Sequence, residues 1–375
     1  MYEKTTVSSI GILKYFSPKR IAFPLIIGLG ISAYFLLKDG DFQASVSAID
    51  WTRQSTIWIL TAVLLMFIRD FAYMLRLRIL SSNQLTWRQS FEIIMLWEFA
   101  SAVSPGAIGG TAAAVLIMAQ EKLDSGLTTA IVLLTSFLDE LFYIVTVPLI
   151  FLIISSSDLF PPFDQDLKLF GLLSTHNLQV VFWSGYAFLA LWTLFLAFAL
   201  FIRPNISKKI ILFFVSLPLL KRYRKKGEKL GNDLVKASET FGKSSKRFWA
   251  QAFGTTVLTW TARFFVVNCL LLAFDHSFSS HFEVYGRHLI MWIILMIAPT
   301  PGGSGVAEFL FPTFLGKYLS SKIINWVAAL WRIISYYPYI VLGAVVLPYW
   351  IKRVGLQKKL NLLKRIRNRS AKKAD

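Results

Sequence analysis

The sequence contains few of the residue types on which most metal and disulfide chemistry depends. Its single cysteine, Cys269, excludes an intramolecular disulfide and a cysteine-based zinc site. Only four histidines are present, and their spacing matches no zinc pattern, so we expect neither a metal ion nor a cofactor. Residues 241–244 end like a phosphate-binding loop, but the first glycine of such a loop is missing, and we expect no nucleotide site.

Charge is also scarce, at 16% of residues against about 25% in soluble domains, and 55% of the residues are hydrophobic. This composition excludes an ordinary soluble enzyme. A bilayer core of about 30 Å is crossed by roughly 20 apolar helical residues. We predict six spans, at 21–37, 56–75, 127–154, 180–202, 248–274 and 323–350. No small-residue cleavage site follows the first span, so we expect it to be retained rather than removed as a signal peptide.

Positive charge is concentrated in two segments of the chain. Residues 203–247 hold thirteen Lys and Arg against three acidic residues, and residues 351–375 hold ten against one. Because positively charged segments stay in the cytoplasm, we predict a multi-pass membrane protein with both termini cytoplasmic. We expect these segments to contact anionic lipid head groups and not nucleic acid.

Two further apolar stretches, 91–120 and 288–315, are interrupted by proline and glycine. The first interruption, at 104–110, reads Ser-Pro-Gly-Ala-Ile-Gly-Gly, and the second, at 299–305, reads Pro-Thr-Pro-Gly-Gly-Ser-Gly. The predicted orientation makes each stretch enter and leave on one face, which indicates two re-entrant hairpins. Non-helical backbone at that depth must face protein or a water-filled cavity. The alternative is that each stretch forms two ordinary tilted spans joined by a loop.

The two halves of the chain resemble each other. Arg69 precedes Pro105 by 36 residues, and Arg263 precedes Pro301 by 38. Because the two hairpins have opposite predicted orientations, the pattern indicates an inverted repeat with a substrate site near the membrane midplane. We therefore predict an all-α polytopic helix bundle. The predicted organisation is one transmembrane domain over 1–375, with repeats at about 56–154 and 248–350, a basic loop at 203–247 and a basic tail at 351–375.

Charged residues inside apolar spans are candidate functional residues because burying them is costly. Arg263, Glu308 and Arg332 lie deepest, and we predict that they bind the substrate, with Glu308 seven residues, about two turns, after Pro301. Helices that restart after an interruption are expected to offer free N–H groups to an anion. The residues predicted there are Pro105, Gly106, Gly109, Gly110, Pro301, Gly302, Gly303 and Gly305. Predicted gates or ion pairs are Arg69, Asp70, Glu98, Asp139 and Glu140.

The interrupted segments carry a family resemblance. Residues 98–110 read Glu-Phe-Ala-Ser-Ala-Val-Ser-Pro-Gly-Ala-Ile-Gly-Gly, and residues 298–308 read Ala-Pro-Thr-Pro-Gly-Gly-Ser-Gly-Val-Ala-Glu. Both resemble the lysylphosphatidylglycerol synthase transmembrane-region family, which includes UPF0104-type proteins and the flippase half of bacterial multiple-peptide-resistance factors. The resemblance extends over about 20–350 and implies a bundle that moves a lipid between leaflets. Members that make the lipid continue into a soluble synthase domain, whereas this sequence ends at Asp375 in a basic tail, so we expect no synthase activity.

Three functional hypotheses follow. The leading one is a flippase-like lipid translocase of the bacterial inner membrane, not an enzyme, that moves a phospholipid, with or without an aminoacyl group, or a polyprenyl-linked lipid. The second is a proton-coupled secondary transporter of a small solute, in which Asp139, Glu140 or Glu308 titrates. The third is a membrane partner that recruits a lipid- or glycan-synthesis enzyme through the basic loop.

Overall fold

The computed structural model describes residues 50–104, 106–121, 123, 125–161, 175–216, 224–275, 277–298 and 300–371, together with Ile26 and Gly30. These residues form helices joined by turns, and no strand occurs among them. The helices are α1 (Arg53–Leu80), α2 (Trp87–Val103), α3 (Gly106–Met118), α4 (Ser125–Ile153), α5 (Thr175–Ala197), α6 (Pro204–Ser216), α7 (Arg224–Phe241), α8 (Lys246–Phe274), α9 (His281–Ile297), α10 (Val306–Leu315), α11 (Ser321–Ser335) and α12 (Tyr337–Ala371). Short helical turns lie at Ser156–Leu159, Phe198–Ile202 and Gly316–Tyr318.

Five helical segments of the described chain are long and apolar enough to cross a membrane. They are Arg53–Leu80, Gly126–Ile153, Leu178–Ile202, Lys246–Phe274 and Ser321–Gly355. These segments match five of the six predicted spans, while the predicted span at 21–37 lies outside the described residues. The predicted all-α, multi-pass membrane fold is therefore confirmed.

The helix α1 shows how the bundle is built for a lipid environment. Its outward stripe is apolar, with exposed residues spaced three and four positions apart: Ile57, Leu60, Leu64, Phe67 and Phe71. Its inward face instead carries two buried arginines, Arg69 and Arg76, beside the small residues Ala62 and Ala72. Apolar side chains outside and charges inside reverse the arrangement of a water-soluble helix, as expected where hydrocarbon is the solvent.

The predicted span at 323–350 contains a helix break that the sequence analysis did not predict. α11 ends at Ser335, and Tyr336 has non-helical backbone angles, φ −131° and ψ −58°. α12 begins at Tyr337, immediately before Pro338. Proline has no N–H for a bond to the preceding turn but fits the start of a helix, so the helix stops and restarts there. This break places Tyr336 beside the interrupted segments.

Antiparallel packing of α1 and α8 forms the centre of the bundle. Near the start of α1, the hydroxyl of Ser55 donates to the carbonyl of Ala273, at the end of α8, over 2.5 Å. Toward the other end, Arg76 of α1 donates to the hydroxyl of Thr256 over 2.9 Å. An inverted repeat would set its two equivalent helices antiparallel in this way, and the repeat itself stays a prediction.

The first interrupted stretch folds back on itself as the pair α2–α3. Close approach of its arms requires glycine, since a Cβ at Gly110 would lie 1.9 Å from the hydroxyl oxygen of Ser101. At the open end of the pair, Gln89 of α2 donates to Glu121, just beyond α3, over 2.8 Å. Arg353 of α12 donates to Glu121 and to Glu92 of α2. These contacts fix the base of the first pair beside the basic tail.

The second interrupted stretch forms the pair α9–α10, and its base is closed by a different set of charges. Glu283, at the start of α9, pairs with Lys317, just beyond α10, and with Arg287 over 3.4 Å. Arg287 also donates to the backbone carbonyls of Phe314 (2.6 Å) and Asp158 (2.7 Å). The base of the second pair is thus fixed to the turn that follows α4.

The two bases lie at opposite ends of a spanning helix. α4 starts four residues after Glu121, at the first base, and ends at Ile153, shortly before Asp158 at the second. Its 29 residues measure about 43 Å at the helical rise. The two pairs therefore enter the bundle from opposite ends, and their interruptions approach each other in its interior. How deeply each pair enters a bilayer remains a prediction.

Candidate functional site

A cavity of about 280 Å³ lies between the two interruptions. Six charged residues line it: Arg76, Glu98, Asp139, Glu140, Arg263 and Arg332. Aromatic lining residues are Tyr73, Trp97, Tyr143, Trp260, Trp292, Tyr336 and Tyr339. Thr300, Gly302 and Gly303 of the second interruption complete one wall. Polar groups converging in an otherwise apolar pocket are typical of a binding site.

Arg76 is a cavity residue that the sequence analysis missed, because the predicted span at 56–75 ends one residue before it. Its side chain is buried, and its two terminal nitrogens donate hydrogen bonds to the Asp139 carboxylate over 2.6 and 3.1 Å. The indole of Trp260 donates to the same carboxylate over 2.8 Å. This two-point pair is a strong, geometrically specific interaction. Arg69, Tyr73 and Arg76 share one face of α1 at helical spacing, and that spacing was the signal available.

Arg69 forms the centre of a second ion-pair group and does not itself line the cavity. Its fully buried guanidinium donates to Asp70 (2.7 Å) and to Glu98 (2.5 Å). The hydroxyl of Tyr339 also donates to Asp70, at 2.9 Å from one oxygen and 3.0 Å from the other. These contacts connect α1, α2 and α12, so the predicted pairing role suits Arg69, Asp70 and Glu98.

Arg332 is held by the second interruption. Its Nε donates to Glu308 over 3.0 Å, and Nη2 lies 3.3 Å from both the Gly302 carbonyl and the Ser304 hydroxyl. The guanidinium stacks on the Tyr336 ring, 3.6 Å from its centroid. Three polar groups and one aromatic ring thus hold this guanidinium, so Arg332 forms a fixed part of the cavity wall.

Glu308 does not occupy the position predicted from its spacing. It lies behind Arg332 and is absent from the cavity lining. Its carboxylate accepts a hydrogen bond from the backbone N–H of Gly305 over 2.7 Å, which caps α10. The helix N-terminus that was expected to offer a free N–H at Gly305 is therefore already occupied by a protein carboxylate.

Arg263 differs from the other two arginines of the cavity. It is 9% exposed, and within the described residues it donates no hydrogen bond. Its one ion pair there joins Nη1 to Glu98 Oε2 at 4.0 Å, and that carboxylate is already bound by Arg69. The guanidinium lies over Trp292, 4.0 Å from the ring centroid. A buried guanidinium without hydrogen-bond acceptors is costly, so this position suits an anion supplied from outside the protein.

Glu140 resembles Arg263 in that it is a charged cavity residue that has, among the described residues, no close partner of opposite charge to itself alone. It lines the cavity, and no Lys or Arg of the described chain lies within salt-bridge distance of it. The hydroxyl of Thr193 on α5 donates to it over 3.4 Å. The two cavity charges Asp139 and Arg332 do not pair with each other. Each has a separate partner, Arg76 and Glu308 respectively.

The predicted proline and glycine positions divide into three groups. Gly302 and Gly303 line the cavity with φ of 56° and 67°, angles that suit glycine, and a Cβ at Gly302 would lie 2.3 Å from the Tyr336 ring. Gly109 and Gly110 instead let α3 approach Ser104 and Ser101. Pro301 and Gly305 lie in the second interruption but do not line the cavity. Gly106 is the first residue of α3. Pro105 lies outside the described residues.

Two comparisons with known proteins bear on this arrangement. The family model of the lysylphosphatidylglycerol synthase TM region matches residues 25–343, which include both interruptions and every charged residue of the cavity. A UPF0104 membrane protein of Archaeoglobus fulgidus is 25% identical over 329 residues, which cover 82% of this chain and 92% of the relative. This chain therefore belongs to the lysylphosphatidylglycerol synthase TM-region family.

Proposed function

We propose that this protein is a lipid translocase that moves a phosphate-bearing lipid between leaflets, with the head group passing through the cavity. The substrate is a phospholipid, with or without an aminoacyl group, or a polyprenyl-linked lipid. One observation carries the proposal: Arg263 is a buried guanidinium in the cavity wall without a hydrogen-bond acceptor among the described residues. A phosphate offers the two adjacent oxygens that a guanidinium binds best.

The size of the cavity limits which part of the lipid can enter it. At about 280 Å³ it falls near the lower limit of roughly 300–1,000 Å³ for pockets that enclose drug-sized ligands. A phosphate with its alcohol fits such a volume, whereas two acyl chains do not. The acyl chains would therefore stay in the bilayer, along the apolar outer surface of the bundle, while the polar head group passes through the cavity.

Reconstitution of the purified protein tests the proposal. Vesicles are prepared with a phospholipid that carries a fluorescent label on one acyl chain, and a membrane-impermeant reductant is added outside. We expect the reductant to bleach inner-leaflet label in proteoliposomes faster than in protein-free vesicles. If the two preparations bleach identically for anionic, zwitterionic and polyprenyl-linked probes, the translocase proposal fails.

A proton-coupled transporter remains the second candidate because Glu140 lines the cavity without a cationic partner in the described chain. Such a carboxylate is able to take up and release a proton. The same proteoliposomes distinguish the candidates when a pH gradient is imposed across the membrane. A lipid translocase moves labelled lipid with or without the gradient, whereas a proton-coupled carrier of a small solute moves no labelled lipid under either condition.

We further propose that both termini and the loop at 203–247 face the cytoplasm, and that each interrupted pair is re-entrant. The distribution of Lys and Arg supports this orientation. In a Cys269→Ser background, an impermeant thiol reagent should label Ser279→Cys in intact cells and Lys225→Cys only after permeabilisation. Both positions are exposed, so access to the reagent depends on the side of the membrane. Labelling of Lys225→Cys in intact cells would reverse the orientation.

A further inference from the structure

The helix α6 has two faces, and one of them is fully used in packing. It lies against α7, where Gly227 and Gly231 present no side chain to the neighbour. A Cβ at Gly227 would lie 2.8 Å from Val215, and one at Gly231 would lie 2.7 Å from the Lys208 side chain. Lys208 and Val215 therefore mark the face of α6 that packs on α7, and this contact fixes how the opposite face is presented.

The opposite face of α6 is apolar and exposed. Ile206 and Ile210 lie one helical turn apart and are 43% and 37% exposed, and Phe213 on the same face is 66% exposed. Exposed Arg203 and Lys209 flank this stripe. An apolar stripe bordered by basic side chains is the pattern of helices that lie in a membrane interface.

Continuity with the lipid-facing surface identifies what covers this stripe. α5 presents Phe188, Leu191 and Leu194 outward, with exposures of 66% to 71%, and Ile202 continues this surface at 63%. Only Arg203 separates Ile202 from α6, and its backbone angles, φ −141° and ψ 68°, turn the chain out of the helix. The stripe of α6 thus begins where α5 leaves the hydrocarbon.

Charge selects the kind of lipid surface. Residues 203–247 carry thirteen basic against three acidic residues. On α7, Arg224, Lys225 and Lys229 are exposed near α6 in the same hairpin. Basic residues at a membrane surface attract anionic head groups.

We propose that α6 is an interfacial helix seated in an anionic cytoplasmic leaflet, with Ile206 and Ile210 among the upper acyl chains and Arg203 and Lys209 at the phosphates. The inference concerns attachment of this hairpin to the bilayer and does not depend on lipid translocation. It gives α6 the role of fixing the basic loop at a set depth.

Depth measurement by spin labelling tests this inference on the full chain. In a Cys269→Ser background, a nitroxide is attached at Ile210→Cys or, as the matched control, at Lys229→Cys on α7. The protein is reconstituted at high lipid-to-protein ratio in vesicles of phosphatidylcholine with phosphatidylglycerol. The ratio of collision rates with oxygen, which partitions into lipid, and with a water-soluble nickel chelate should be several-fold higher at position 210 than at 229.

Each other outcome overturns the inference. Ready access of the nickel chelate to position 210 would place α6 in water. Low access of both reagents there would mean that a second copy or another protein segment covers the stripe. Lys209→Glu should lower the oxygen ratio at position 210 in the anionic vesicles, whereas Lys229→Glu, with the same change in charge, should have less effect. Equal effects would show that Lys209 has no special place at the phosphates.

Discussion

Replacing Arg263 with alanine is expected to abolish lipid movement while the protein still folds and inserts. Hydrogen bonds to a charged group contribute about 1.5–3 kcal/mol each, so losing a two-point grip on phosphate should weaken head-group binding by roughly 100-fold or more. The structural cost should be small, because Arg263 has a 4.0 Å ion pair and its contacts with the Trp260 and Trp292 rings to lose, and no hydrogen bond among the described residues. The bleaching rate in proteoliposomes should fall to that of protein-free vesicles.

Two further variants test whether the effect of Arg263→Ala comes from losing the guanidinium at this position. Arg263→Lys should recover part of the rate, because an ammonium keeps the charge but loses the fork that matches two phosphate oxygens. Arg88→Ala removes an arginine whose side chain is 71% exposed and lies outside the cavity, so its rate should match the unmodified protein. If Arg263→Ala moves lipid at the normal rate with an unchanged melting temperature, Arg263 does not bind the phosphate of the head group.

The fold could be predicted in outline because the bilayer imposes a length and an apolar composition on each spanning helix. That rule located α1, α4, α5 and α8 to within a few residues. The break at Tyr336 was missed because the apolar runs on either side of it were joined into one span across residues 335–339, which read Ser-Tyr-Tyr-Pro-Tyr. Pro338 was the clearest local signal, and a proline inside an apolar stretch does not by itself end a membrane helix.

The site was less predictable, because depth along a helix does not reveal the partner of a charge. Arg263 and Arg332 looked equivalent in sequence, since each is an arginine within a long apolar span. The structure separates them by distant contacts: Arg332 meets Glu308, 24 residues earlier, while Arg263 approaches only a carboxylate that Arg69 already binds. Arg76 was misjudged for the same reason, because its partner Asp139 lies 63 residues away.

Arg332→Met is expected to lower stability rather than to act first on lipid binding. It would leave Glu308, which is 3% exposed, without its cation, and removing one partner of a buried ion pair costs about 3–5 kcal/mol. The melting temperature in detergent should fall by several degrees or more. Arg263→Ala, measured beside it, should shift the midpoint far less, since no carboxylate depends on Arg263 alone.

A double-mutant cycle decides whether this loss comes from the stranded carboxylate. Glu308→Gln keeps a side-chain oxygen for the N–H of Gly305 but removes the charge, so the cap of α10 can persist. The double variant Arg332→Met with Glu308→Gln should therefore be more stable than Arg332→Met alone, since no buried charge is left unpaired. A coupling free energy of about 1.5 kcal/mol or more is expected for residues in contact. If the stability losses of the two single variants simply add, Arg332 and Glu308 do not form a stabilising ion pair in the cavity wall. The proposed difference between Arg332, which supports the wall, and Arg263, which binds the ligand, would then be wrong.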